Sequence, residues 1–161
     1  MERITITEAE KKTSPNSISL ICTKAADGST NLTTVSWWTY LSNHPPMIGF
    51  AVSKKSYCSE CLTSNKQVVL SIPGKSIAAE AYKCGCFSGR DVNKSEIFEI
   101  KLIGNDIKFP EHSKLAFKCI VENYVSAGDH MFFICKILDI FYNKSETQIY
   151  AWDGYSYLDI L

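Results

Sequence analysis

Asn31, Thr33, Thr34, Ser36, Thr39 and Ser42 crowd short hydroxyl and amide side chains into one extended stretch, DGSTNLTTVSWWTYLSNHPPM, from Asp27 to Met47. An ordinary half-buried strand places large apolar residues at every second position, whereas this one carries donors and acceptors, so a polar group is expected against it. Ser53-Lys54-Lys55-Ser56-Tyr57 combines hydroxyls and ammoniums ahead of a short helix. That is chemistry suited to an anion held by charge and by free helix N–H groups, although a solvated lysine pair at a strand end is the plainer reading. Ser88-Gly89-Arg90, in a polar loop closing at Lys94, is either an anion cradle with one guanidinium or an ordinary turn. His130 follows Gly128-Asp129 at a loop-to-strand junction, a place from which an imidazole can donate to a ligand carbonyl or transfer a proton. His44 and His112 have less context.

The seven cysteines include Cys58 and Cys61 in a CxxC and Cys84 and Cys86 in a CxC, four thiolates that could in principle surround zinc. The one-residue gap is a poor zinc spacing, and Cys58 with Cys61 falls on a helix, so no metal site is expected. A thioredoxin-like dithiol needs a βαβ context that is missing here, and Cys22, Cys119 and Cys135 read as buried, inert thiols. Neither GxGxxG after a strand nor GxxxxGK[ST] occurs.

These segments need a frame. The chain has 161 residues, 45% hydrophobic and 21% charged, which suits one domain spanning residues 1–161. Lys and Arg number 17 against 17 Asp and Glu, which removes the charge signature of a duplex nucleic-acid binder. The opening MERITITEAEKK has no apolar signal core, and no later run approaches the ~20 apolar residues of a membrane span. A cytoplasmic protein with reduced thiols is expected.

Strands are expected at Ser17–Cys22, Leu32–Trp38, Met47–Val52, Gln67–Ile72, Leu115–Val125, Met131–Phe141 and Thr147–Trp152, from β-branched and aromatic runs bounded by turn residues. Ala26-Asp27-Gly28-Ser29 should turn the first strand back antiparallel into the second, and His44-Pro45-Pro46 should stop the second. Trp37 and Trp38, adjacent on that strand, would face opposite sides. Helices are expected at Tyr57–Ser64 and Ser76–Lys83, and two short extended pieces flank a turn at Gly104-Asn105-Asp106. Many strands with few helices and no regular alternation point to a mainly β protein, an antiparallel barrel with short helical insertions.

NLTTVSWWTYLSNHPP, SKKSYCSECL, SIPGKSIAAEAYKCGCFSGRDVNK and AGDHMFFICKILDI, in this order, resemble the flavin reductase-like family of FMN-binding split barrels, including its flavoredoxin group. The resemblance runs from Asn16 to Tyr155. It implies a six-stranded Greek-key split β-barrel, a homodimer, and one FMN per subunit near the dimer interface. It places Asn31, Thr33, Val35, Ser36 and Trp37 along the ribityl chain and ring, largely through backbone groups. Ser53, Lys54, Ser56 and Tyr57 match the phosphate-side loop, Ser88, Gly89, Arg90 and Lys94 a second loop, and His130 the histidine near the reactive side of the flavin. The implied activity is reduction of flavin by NADH or NADPH, the nicotinamide sitting directly on the flavin. The alternative is a flavoredoxin-like FMN electron carrier reduced by a protein partner. Two departures stand out: Cys58 and Cys61 lie where the family needs no thiols, and the segment after Lys94 lacks the usual glycine-rich continuation.

Overall fold

The computed structural model describes residues 1–161. Its elements, in order, are α1 (Ile6–Lys12), β1 (Asn16–Ser17), β2 (Ser19–Lys24), β3 (Thr30–Val35), β4 (Trp38–Asn43), β5 (Pro46–Ser53), α2 (Tyr57–Ser64) and β6 (Gln67–Pro73). A 3₁₀ turn (Lys75–Ile77) then leads into α3 (Ala78–Cys86) and α4 (Lys94–Ile97). They are followed by β7 (Leu102–Ile103), β8 (Phe109–Pro110), β9 (Ser113–Ala127), β10 (His130–Tyr142), β11 (Tyr150–Trp152) and β12 (Tyr157–Asp159). Seven strands form one antiparallel sheet in the order β3-β2-β6-β9-β10-β5-β4, with small sheets β1-β11-β12 and β7-β8 beside it.

The large sheet wraps around a core drawn from most of its strands, including Ile21, Val35, Phe50, Leu70, Phe117 and Phe133. Phe50 and Phe133 are fully buried and stack at 5.7 Å. On the other side of β2, β3 and β6 lies a second core, in which Leu20, Cys22, Leu32 and Val69 meet Ala81 and Cys84 of α3. The alternation of side chains along a strand explains the division: Ile21 enters the first core, while Leu20 and Cys22 enter the second. Both faces of β2 are therefore buried, and SLICT is nearly continuous in small and apolar residues.

This is a mainly β, antiparallel split barrel, and its main sheet has seven strands where six are expected. The extra strand comes from Leu32–Trp38, which is not one strand but two. The chain leaves β3 at Val35, crosses through Ser36 and Trp37, and resumes as β4 at Trp38, so the two edges of the sheet are consecutive in sequence. Trp37 O accepts from Ala51 N at 2.8 Å, fixing the crossing against β5. The prolines do not simply stop the element: His44 and Pro45 form the turn of a hairpin in which Asn43 faces Pro46.

Most turn signals behave as expected. Gly28, with φ +85°, closes the β2–β3 turn while Asp27 Oδ1 accepts from Ser29 N and Oγ. Gly128, with φ +59°, occupies the first central position of the tight β9–β10 turn. The expected helix at Ser76–Lys83 begins as a 3₁₀ turn and runs on through Cys84-Gly85-Cys86. Three elements are additional: α4, β12, and α1, whose Thr5 and Glu8 form a reciprocal capping box.

Candidate functional site

The unclosed seam of the barrel is the cleft. β3 pairs only with β2, so its outer backbone edge is available, and this edge faces the end of β5. A cavity of about 280 Å³ lies there, lined by Thr33, Thr34, Val35, Ser36 and Trp37 on one side and Ala51, Val52, Ser53, Ser56 and His130 on the other. A second cavity of about 360 Å³ shares Thr33, Thr34, Ser53 and Ser56 with it and extends to Lys55, Tyr57, Cys84, Cys86, Ser88, Gly89, Arg90 and Lys94. Together they make one groove from an aromatic end to a basic end.

At the aromatic end, the rings of Trp37 and His130 lie 4.7 Å apart. His130 Nδ1 is 2.7 Å from Asp129 Oδ1, and this contact holds the Asp129 carboxyl below its ordinary value. With Nδ1–H donated to the carboxylate, Nε2 is the free nitrogen of the ring. Lys54 supports this corner rather than lining the groove: its Nζ donates to Gly128 O at 2.6 Å and its N–H to Asp129 O.

At the basic end, Ser56 caps α2 by accepting from Ser59 N while donating to Ser53 O. The first helical N–H groups, those of Tyr57 and Cys58, make no hydrogen bond within the chain. Arg90 Nη1 donates to Lys55 O at 3.0 Å, its other terminal nitrogen pairs with Glu60, and the guanidinium lies over the Tyr57 ring. Lys94 is only 4% exposed, and its ammonium donates to Leu32 O at 2.8 Å and Cys84 O at 2.7 Å. It ties the β3 wall to the α3 wall, and burial lowers its pKa.

Asn31 stands behind this wall. Its Nδ2 reaches the hydroxyls of Thr23 and Thr33, and its buried Oδ1 has no hydrogen-bond partner but abuts Gly89, where a β-carbon would collide with it. With Tyr57, Arg90 and Lys94 it borders a third cavity of about 290 Å³.

The groove thus brings together Thr33, Val35, Ser36, Trp37, Ser53, Ser56, Tyr57, Ser88, Gly89, Arg90, Lys94 and His130 from distant segments, sets Asn31 behind them and leaves Lys54 outside. Ala51 lines it without having been singled out, and Thr34 and Lys55, noted in their segments but matched to no site position, line it too. Thr34 could have been found from its neighbours, yet its hydroxyl donates to Ala81 O of α3 at 2.6 Å. No three His, Cys, Asp or Glu side chains are placed to hold a metal ion, and all seven cysteines are free.

Known proteins resemble this chain in sequence or in fold. An uncharacterized protein of Archaeoglobus fulgidus is 26% identical over 113 residues, covering 68% of this chain and 64% of that relative's length. Flavoredoxin from Methanosarcina acetivorans superposes with a TM-score of 0.86 at 18% identity, over 100% of this chain and 92% of its own. The NADH:FAD oxidoreductase SgcE6 of Streptomyces globisporus gives 0.86 at 12% identity, over 100% and 98%. The model of the flavin reductase like domain matches residues 12–159. With that match spanning nearly all of a chain folded as a split barrel, this protein belongs to the flavin reductase like domain family.

Proposed function

We propose that this chain is an FMN-dependent oxidoreductase, an NAD(P)H:flavin reductase that works through a non-covalently held FMN. The observation that carries the reading is the groove at the barrel seam, aromatic at one end and basic at the other. Its cavities are of the order of cofactor sites, roughly 300–1,000 Å³. The donor set also fits, because Lys55, Arg90 and the free N–H groups of Tyr57 and Cys58 converge where a phosphate would lie. When bound, FMN supplies two-electron redox chemistry between a nicotinamide donor and an acceptor.

The residues of this chain then have distinct tasks. The free edge of β3 from Thr33 to Val35, with Ser36 just beyond it, offers main-chain and hydroxyl groups to the polar edge of the flavin. Trp37 and His130 wall the ring and keep water from one side of it. His130 Nε2, opposite the nitrogen that meets Asp129, is the ring nitrogen left for a ligand at the mouth of the cleft. Lys94, Asn31 and Lys54 also serve the frame: their hydrogen bonds within the chain hold the walls and the β9–β10 turn in place.

The test is an absorbance spectrum of the purified protein, followed by stopped-flow mixing of the FMN-loaded protein with NADH and with NADPH. A flavin spectrum bleached by one of them is expected, and no bleaching by either would sink the reductase reading. The second reading, an electron carrier, is favoured by the flavoredoxin-like fold and by Trp37, which is 48% exposed at the cleft mouth. Rapid reduction by reduced ferredoxin with NAD(P)H inert would select it. A homodimer is also proposed, supported by Tyr40 and Leu41 on edge strand β4 and Leu138 and Ile140 on β10, all exposed. Light scattering checks it. Seven unpaired thiols support a reducing, cytoplasmic setting, and no helix is long and apolar enough to cross a membrane.

A further inference from the structure

Two exposed cations face the basic end of the groove, Lys55 and Arg90, but they are not equivalent. Lys55 presents an ammonium with no partner in the chain. Arg90 is engaged, with Nη1 on Lys55 O and the other terminal nitrogen in an ion pair with Glu60, which lies one turn into α2. Planar guanidinium groups bind phosphate best through paired N–H donors, and here one terminal nitrogen is already given to a carboxylate and the other to a carbonyl. Both side chains of the pair are largely exposed, 41% for Arg90 and 56% for Glu60, so water screens the contact and an incoming anion can displace it.

We propose that Glu60 is an internal competitor for Arg90, a specificity-determining carboxylate that narrows the preference of this site for phosphorylated over unphosphorylated flavin. The inference rests on the flavin reading above and deepens it. A phosphate dianion entering beside Lys55 must either take Arg90 from Glu60 or share it across a like-charge repulsion. Riboflavin, which has no phosphate, meets neither cost. Glu60 therefore weakens FMN binding selectively, and it acts through Arg90 rather than by touching the ring.

Fluorescence titrations of FMN and riboflavin with wild type, Glu60→Gln, Arg90→Gln and the double variant test this. Glu60→Gln should tighten FMN by roughly threefold to tenfold at low salt, the scale of one screened charge contact, and leave riboflavin within about twofold. The gain should shrink in the Arg90→Gln background. Unchanged or weaker FMN binding in Glu60→Gln, or an equal gain with Arg90 removed, would overturn the proposal. If wild type binds neither flavin, the flavin reading fails, and inorganic phosphate followed by the ¹⁵N shift of Arg90 Nε decides the rest. A lower half-saturation concentration in Glu60→Gln supports competition, and an unchanged one refutes it.

Discussion

The indole of Trp37 packs against the imidazole of His130 at 4.7 Å with an interplanar angle of 43°. Trp37 belongs to the two-residue bridge between the edges of the sheet and His130 opens β10, so this contact pins the seam where the barrel fails to close. Aromatic pairs of this kind contribute about 0.5–1.5 kcal/mol beyond the area they bury. Trp37→Ala should cost about 1 kcal/mol of stability and weaken FMN by about tenfold, while Trp37→Phe should retain most of both. Urea unfolding and a flavin titration check this, and equal behaviour of the two variants would show that the ring does not wall the site.

Gly89 and Asn31 form the second constraint on the groove. The φ of Gly89 is not in the left-handed region, so its requirement is closeness alone: a β-carbon would strike Asn31 Oδ1 and come within 3.0 Å of the Tyr57 ring. Gly89→Ala should destabilise by about 1–3 kcal/mol, as overpacked sites do, and shift the Ser88–Arg90 loop. In an Asn31→Ala background the cost should fall by about 1 kcal/mol, because the atom struck is gone. Additive losses in the double variant, measured by urea unfolding, would place the strain at Tyr57 instead.

These two contacts also show what the sequence carries and what it withholds. The β2–β3 and β9–β10 turns, most of the strands and both main helices follow from local residue chemistry, because a glycine with positive φ or a β-branched run acts where it stands. The capping-box spacing of Thr5 and Glu8 was equally local and marks α1. The break at Ser36-Trp37 was not legible. β-propensity continues unbroken through TTVSWW, and only closure of the distant sheet decides where the chain changes edges. The site residues emerged as segments, since each hydroxyl or basic cluster is contiguous. Which lysine of Lys54-Lys55 meets the groove, and that Lys94 is buried on two carbonyls, depend on Gly128, Leu32 and Cys84, residues far away in the chain.

The buried thiols make the fold sensitive to alkali. Burial pushes Cys58, Cys84 and Cys119 from the ordinary 9.0 up to about 12, and raises Cys22, Cys61 and Cys135 as well. A folded pKa above the unfolded one means stability that is complete below the unfolded value and is lost as pH rises toward the folded value. Each such thiol should remove ~1.4 kcal/mol per pH unit above about 9. Lys94 has the opposite sign, since its lowered pKa makes stability rise over its own window, but one lysine opposes six thiols. Urea midpoints should therefore fall steeply between about pH 9 and 11, and Cys119→Ala should flatten that slope by one thiol's share. A wild-type midpoint that is level across this range would mean that the thiols ionise without unfolding.

On the acid side the buried carboxylate is Glu146. Burial works against its charge, but hydrogen bonding to Ser76 and to His112, whose Nδ1 lies 2.8 Å away, outweighs it and holds the carboxyl below the ordinary 4.5. The folded pKa lies below the unfolded one, so this stability is present above the unfolded value and is lost as pH falls through the folded value. Gly74 lies against the carboxylate so closely that a β-carbon there would collide with it. Wild type should lose stability below about pH 4.5, and Glu146→Gln should start about 1–3 kcal/mol lower at neutral pH yet show a shallower acid slope. Thermal unfolding from pH 3 to 7 distinguishes these curves. Parallel curves would assign the acid sensitivity to the exposed carboxylates rather than to the His112–Glu146 pair.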